Sequence, residues 1–356
     1  MEFKILDAAD PLNRKAWIDL WTKWPQREIF AHPEYLRLNA RPNDRALCAV
    51  ASVGESHILY PFLLRSLGDE PFCALSQRDC ADITTPYGYG GPFRCGDAWD
   101  PNSIYAFWQE FGSWAARSRV VSEVVRLSLF PETLVEYAGD RRVISDNVVR
   151  TINSADQLWW DFEHKVRKNV NTAHASGVEV CVDESGERLD EFLSIYIGTM
   201  NRRNAEENYY FPREYFERLH ADLKGQFVYF HAVIGGAIVS TELVLVSANR
   251  IYSFLGGTDV EWFHVRPNDL LKVEIMNWAR CAGKAEFVLG GGAARGDGIY
   301  RYKLSFAPSG SVPFSLGCRV LRPDDYEQLV HARRSFEAAE DRTWQPNPEY
   351  FPVYRG

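Results

Sequence analysis

Apolar positions between residues 178 and 321 recur with two different periods, and each change of period marks an element. Residues 178–182 alternate apolar and polar as a short strand. Leu189, Phe192, Leu193, Tyr196, Ile197 and Met200 then recur at helical spacing, and Tyr215, Phe216, Leu219 and Leu223 give a second helix face between Pro212 and Gly225. Strands follow at 227–233, 237–246 and 251–255, with Gly235-Gly236 as the first hairpin turn. Residues 268–282 read as a helix with Leu270, Leu271, Val273, Ile275 and Trp278 on its apolar side, Pro267 before it and Gly283 after it. A buried strand at 286–289, a short helix around 299–306 and a strand around 318–321 complete the order β-α-α-β-β-β-α-β-α-β.

This order resembles that of the GNAT acyltransferase fold, and the first half of the chain shows it again in weaker form. Residues 46–52 and 57–67 form a hairpin around Gly54, 104–117 an apolar-faced helix, 124–127 a strand, 131–137 a short helix and 143–150 a strand. The segment FGSWAARSRVVSEVVRLSL parallels IMNWARCAGKAEFVLGG, with Trp114-Ala115 matching Trp278-Ala279. An internal duplication accounts for both. The expected fold is α/β, in the α+β sense, with two tandem GNAT-like domains, each a mixed and mostly antiparallel sheet flanked by helices. The boundaries are placed at 1–152 and 153–322, with 323–356 a helical extension packing back on one of the domains.

A chain of 356 residues is long enough for two such cores, and 46% apolar against 25% charged residues is the composition of a folded protein. The N-terminus MEFKILDAADPLNRK mixes charges and lacks an apolar run, so a cytoplasmic location is expected. The seven cysteines include no C-x-x-C pair and the eight histidines no H-E-x-x-H motif, so reduced, buried thiols and no metal are expected. A net charge of −8 argues against binding along nucleic-acid duplex but leaves room for a local basic groove.

Candidate chemistry concentrates in LGGGAARGDGIYRYKLSF, residues 289–306. It lacks the G-K-[ST] of a nucleotide P-loop. Its glycines suit a flexible exit from a strand that lets chain or substrate approach closely, and Arg295, Asp297, Tyr300, Arg301, Tyr302 and Lys303 follow one another there. GNAT enzymes that use acetyl-CoA carry R/Q-x-x-G-x-G/A before the helix after the fourth strand, where glycines let backbone N–H groups reach a pyrophosphate. Here Arg266 opens that stretch, but Asp269 and Leu271 occupy the glycine positions, which disfavours coenzyme A in the second domain. The first domain offers TPYGYGGP, residues 85–92, in which Tyr87 and Tyr89 serve either as packed turn residues or as substrate contacts.

Two GNAT-like domains, the basic stretch KVRKNV at 165–170, TMNRR at 199–203, RPNDLL at 266–271 and the run GGG…GIYRYKLSF together resemble the Fem-type aminoacyltransferases. The resemblance covers most of the chain, chiefly residues 161–317, and points to a short member without the helical arm. It implies transfer of an amino acid from aminoacyl-tRNA, as co-substrate and with no bound cofactor, to an acceptor amine. The acceptor would be a peptidoglycan precursor or a peptide natural product; an acyl-CoA or carrier-bound donor is the alternative. Lys303 matches the basic residue of the family's aromatic-Lys-x-x-Phe motif, with Tyr302 in the place more often held by Phe. Arg202, Arg203 and Asn204 read either as a helix C-cap or as an acceptor-binding group, and Lys165, Arg167 and Lys168 as a solvated face or as contacts to tRNA phosphates. The protein is expected to act as a monomer.

Overall fold

Asp10 opens the first helix of the computed structural model by accepting hydrogen bonds from the backbone N–H groups of Leu12 and Asn13, with Pro11 at the first helical position. That helix, α1 (Pro11–Lys23), turns Trp17 and Trp21 into the interior. The structure describes residues 1–73, 78–292 and 294–356. They form two compact units: unit 1 is Met1–Trp24, Phe30–Ile144 and Phe314–Gly356, and unit 2 is Pro25–Ile29 and Ser145–Pro313.

Unit 1 begins with β1 (Glu2–Asp7), α1 and α2 (Pro33–Asn39), none of which the sequence pattern assigned. β2 (Arg45–Val53) and β3 (Ser56–Ser66) form the expected hairpin, followed by β4 (Ala81–Thr84), β5 (Phe93–Cys95), α3 (Pro101–Arg117) and β6 (Val120–Arg126). The sheet runs β1-β2-β3-β4-β6, antiparallel except for the parallel β4–β6 pair, with β5 against β3. Phe107, Trp108 and Phe111 on one face of α3 pack with Tyr60 and Phe62 from β3. Residues 131–137, expected as a short helix, make only a single 3-10 turn at Pro131–Thr133.

The next strand, β7 (Asp140–Thr151), passes from unit 1 into unit 2, where α4 (Ala155–Asp161), α5 (His164–Ala175), β8 (Glu179–Asp183), α6 (Leu189–Arg203) and α7 (Arg213–Asp222) follow. Then come β9 (Phe227–Ile234), β10 (Ala237–Val246), β11 (Arg250–Thr258), α8 (Pro267–Cys281), β12 (Glu286–Gly290) and α9 (Gly298–Leu304). Gly235 and Gly236 both have positive φ, 57° and 87°, as the two-residue turn between β9 and β10 requires. The sheet of unit 2 runs β8-β9-β10-β11-β12-β7, antiparallel except for the parallel β11–β12 pair. Its core includes Phe230, Val244, Leu271, Ile275 and Phe287, and α8 packs across β8 to β12.

The same pairing pattern therefore occurs twice, with the parallel pair in each unit enclosing a helix. The echoed Ala115 and Ala279 fall on the equivalent helices α3 and α8, both fully packed. The sixth strand of each sheet comes from elsewhere in the chain. In unit 2 it is the second half of β7; in unit 1 it is residues 316–320 of β13 (Ser311–Val320), antiparallel to β6. β13 begins seven residues before the expected position because its first part carries polar residues and a proline that hide the alternation.

The units divide the chain differently from the boundaries 1–152, 153–322 and 323–356. The C-terminal segment, with α10 (Pro323–Ala339), belongs to unit 1 rather than appending to it. Leu329 and Tyr354 share a core with Leu67, Phe72, Cys80 and Val121, and Tyr354 and Arg355 both bond the fully buried Asp82. Residues 25–29 join unit 2 because Glu28, buried, accepts from Arg250 at 2.9 Å and Tyr252 at 2.8 Å. All seven thiols are free; Cys181 and Cys281 are exposed, contrary to the expectation of burial.

Candidate active site

The helix α9 carries Lys303, and the residues before it hold it in place. Asp297 caps the helix, its carboxylate accepting from the N–H of Tyr300 at 2.7 Å and from that of Ala294 at 3.2 Å. Lys303 Nζ donates to the Gly291 carbonyl at 2.7 Å. A Cβ at Gly290, whose φ is +80°, would lie 3.3 Å from that Nζ, and one at Gly291 would lie 2.6 Å from Asn147 Oδ1. One at Gly292 would collide with the Asp297 carboxylate. The three glycines thus let the loop close onto Lys303, Asn147 and Asp297.

Lys303 is half-buried, and burial lowers its ammonium from the usual lysine value to about 8. The Lys272 charge lowers it further, against the opposing pull of Glu242 and Asp297. Lys272 itself, from α8, is buried and gives its ammonium to both Glu242 oxygens at 2.5 and 2.6 Å and to Ser253 Oγ at 3.0 Å, while lying over the Phe287 ring at 5.6 Å. Glu242 stands in the middle of β10 and is also buried.

Beside this pair, Asn268 Nδ2 donates to the Tyr302 hydroxyl at 2.8 Å, and Asn169 Nδ2 to Asp269 Oδ1 at 3.0 Å. Burial, and then the Asp269 and Glu242 carboxylates, push the Tyr302 phenol well up, so it stays a neutral hydroxyl. Burial likewise raises Asp269, despite the lowering effect of the Asn169 bond. Asp269 lies in the first turn of α8, after Arg266 at a left-handed φ of 58°.

The remaining sequence candidates are distributed as follows. Arg295 is exposed and pairs with Asp146 at 3.5 Å, Arg301 is exposed, and the Tyr300 hydroxyl donates to Ser311 Oγ at 2.7 Å. Asn204 ends α6 in the left-handed conformation at φ 46°, Arg203 is exposed, and Arg202 lies 4.9 Å over the Phe263 ring. Arg167 donates to the carbonyls of Trp159, Trp160 and Phe162, closing the end of α4, whereas Lys165 and Lys168 point to solvent. In unit 1 the Tyr87 ring and Phe314 flank the Arg126 guanidinium at 5.5 and 5.0 Å, and Tyr89 packs between Phe30 and Phe314. Glu242, Lys272, Asn169 and Asn268 were not singled out from the sequence. The signal for Glu242 and Lys272 is a lone charge inside the apolar run AIVSTELVLV and another between Leu271 and Val273, while Asn169 and Asn268 lie inside the stretches KVRKNV and RPNDLL. Charges placed so are buried only when paired. Among the described residues, no group of three or more His, Cys, Asp and Glu side chains is placed to hold a metal ion.

Residues 161–304 match the family model described as an acetyltransferase (GNAT) domain. The matched range contains α5, Glu242, Asp269, Lys272 and Lys303, so the chain carries an acyltransferase domain and the cluster lies inside it. The fold as a whole is Fem-like: FemX is 13% identical, with 92% of this chain and 99% of that one covered at a TM-score of 0.66. The L-PGS of Bacillus licheniformis is 14% identical over 88% of this chain and 93% of its own, at a TM-score of 0.51. The C-terminal domain assigned to a lysylphosphatidylglycerol synthetase of Agrobacterium fabrum is 14% identical over 86% and 92%, at 0.53. At these identities the likeness is one of fold. No curated protein matches the sequence.

Proposed function

We propose that the protein is an aminoacyltransferase that takes an amino acid from aminoacyl-tRNA and forms an amide on the amine of a peptidoglycan precursor or a peptide natural product. The observation that carries the donor assignment is Asp269. In a coenzyme A-dependent domain the helix start after the fourth strand seats a pyrophosphate on its N–H groups. Here that first turn holds a buried carboxyl bonded to Asn169, with no glycine to open the backbone. An incoming diphosphate would meet the charge and bulk of Asp269 rather than bare amides.

An ester donor needs no such cradle. Its carbonyl requires a positioned amine and a cation or dipole aimed at the developing oxyanion. Lys303, pinned by Gly291 and with an ammonium that is only weakly held, supplies that cation. In this reading Arg202, Arg203 and Asn204 bind the acceptor, and Lys165 and Lys168 meet tRNA phosphates. Arg295, Asp297, Tyr300, Arg301 and Tyr302 shape the pocket around the transferred residue.

The acetyltransferase family match favours a second reading, an N-acyltransferase using acyl-CoA or a carrier-bound acyl group. Incubation with tRNA charged with labelled amino acids separates the two. Label should move to acceptor amines in a reaction abolished by ribonuclease, and transfer from acetyl-CoA alone would overturn the proposal.

A further inference from the structure

Lys303 does not stand alone in its charge environment. The charged groups acting on it are Lys272 from α8, Glu242 from β10 and Asp297 from its own cap. Asp297 is held by the backbone of its own loop. Glu242 and Lys272 are each at most 5% exposed and are locked to one another, with Ser253 of β11 as a third point. The contact that brings this part of α8 to Lys303 is made by Asn268, one helical turn before Lys272, whose Nδ2 donates to the hydroxyl of Tyr302, the residue next to Lys303, at 2.8 Å. Lys272 lies over the ring of Phe287 in β12, and Lys303 bonds Gly291 just past the end of that strand.

A buried ion pair on two packed elements is not a gain in stability over an apolar pair of the same volume. Its presence behind a half-buried lysine calls for another role. We infer that the Glu242–Lys272 pair is a positioning element for Lys303, holding a fixed cation and a fixed carboxylate beside it and so deciding whether Lys303 meets the substrate with or without its proton.

The inference rests on the transfer reaction proposed above and adds a proton path to it. The acceptor nitrogen attacks the ester carbonyl carbon, and a C–N bond forms as the ester C–O bond breaks. The Lys303 ammonium gives its proton to the departing ribose oxygen, and the proton shed by the attacking nitrogen returns to Lys303. The lysine ends as it began, and an ester and an amine become an amide and a hydroxyl. A lysine that titrates near pH 8 can make both transfers near neutrality; one near its ordinary value would keep its proton.

The two partners act on Lys303 with opposite sign, which gives the test. Full-length protein is reductively methylated with 13C-formaldehyde, and the Lys303 resonance, assigned by its loss in Lys303→Arg, is titrated by NMR. Lys272→Met should raise the Lys303 midpoint by about 1 pH unit, Glu242→Gln should lower it by about 1 pH unit, and Lys272→Arg should leave it in place. The basic limb of the pH–rate profile should move in the same directions. A midpoint unmoved in both Lys272→Met and Glu242→Gln overturns the inference. If Lys272→Met does not fold, Glu242→Gln decides alone: a fall supports the inference, and a rise or no change overturns it. Shifted midpoints in a protein that transfers nothing from charged tRNA would leave the positioning role standing and remove the proposed function instead.

Discussion

Lys303 is the side chain on which most of the proposed chemistry converges, and its titration makes it testable without a substrate. Its folded value, about 8, lies below the ordinary 10.5. Between these two pH values the unfolded chain binds the proton more tightly than the folded one, so this group makes stability rise with pH across that window. Below pH 8 its cost is present in full. Lys303→Met should therefore raise the thermal midpoint at pH 7 and lose that advantage by pH 10.5, a comparison that differential scanning calorimetry reads directly. Transfer should respond in the other direction. Lys303→Met is expected to lower kcat by a factor of roughly 100 or more at pH 7, as loss of an oxyanion donor does. Lys303 stands out in the sequence only through its match to the basic residue of the aromatic-Lys-x-x-Phe motif. Glu242 and Lys272 do not stand out, because each reads as an isolated interruption of an apolar stretch. Only the packing of α8 on β10 shows that the two interruptions meet.

At the scale of elements, α9 is the most delicate part of the site. It is seven residues long, too short to persist without its cap and its packing. Asp297→Ala should cost about 1 kcal/mol of stability and Asp297→Asn much less, since asparagine also caps. If α9 serves only to aim Lys303, Asp297→Ala should lower kcat by a larger factor than its loss of stability explains, with Asp297→Asn restoring most of it. Chemical denaturation beside steady-state kinetics checks both. The elements themselves divide by how plainly they show in the sequence. From β8 to α9 the strands and helices of unit 2 carry apolar periods that place them to within a few residues, whereas α4 has no such signal. β1 and α1 could not be placed: β1 is a mostly half-buried strand with a lysine in it, and α1 has an apolar face made largely of two tryptophans among charges. Such elements are fixed by long-range packing rather than by local pattern.

At the scale of the whole molecule, the two units are not two consecutive lengths of chain. Removal of residues 323–356 should destabilise unit 1 rather than trim it, because the cut exposes Leu67, Phe72 and Val121 and takes Arg355 from the buried Asp82. Arg355→Met should already cost about 2 kcal/mol, less than the loss of a sole partner because Arg65 still donates to Asp82 at 2.7 Å, and this is visible as an earlier transition in thermal unfolding followed by tryptophan fluorescence. The polarity of Asn153, Ser154 and Asp156, beside the expected boundary at residue 152, marks the change from β7 to α4. The sequence carries no local sign that the strand just before them ends in one unit after beginning in the other.

The late arrival of β13 also bears on how the protein is made. β6 reads VVSEVVR, a β-branched run, and its free edge is covered only when residues 316–320 pair with it. Until then a nascent chain carries a ready template for strand addition by another molecule, interrupted by Glu123 and ended by Arg126. Unit 2, whose strands are all synthesised earlier, can close first and keep the chain soluble while the edge waits. Ribosomes that stall or terminate before residue 314 should release a product with one finished unit and one sticky one, the kind of chain that quality-control chaperones must recognise.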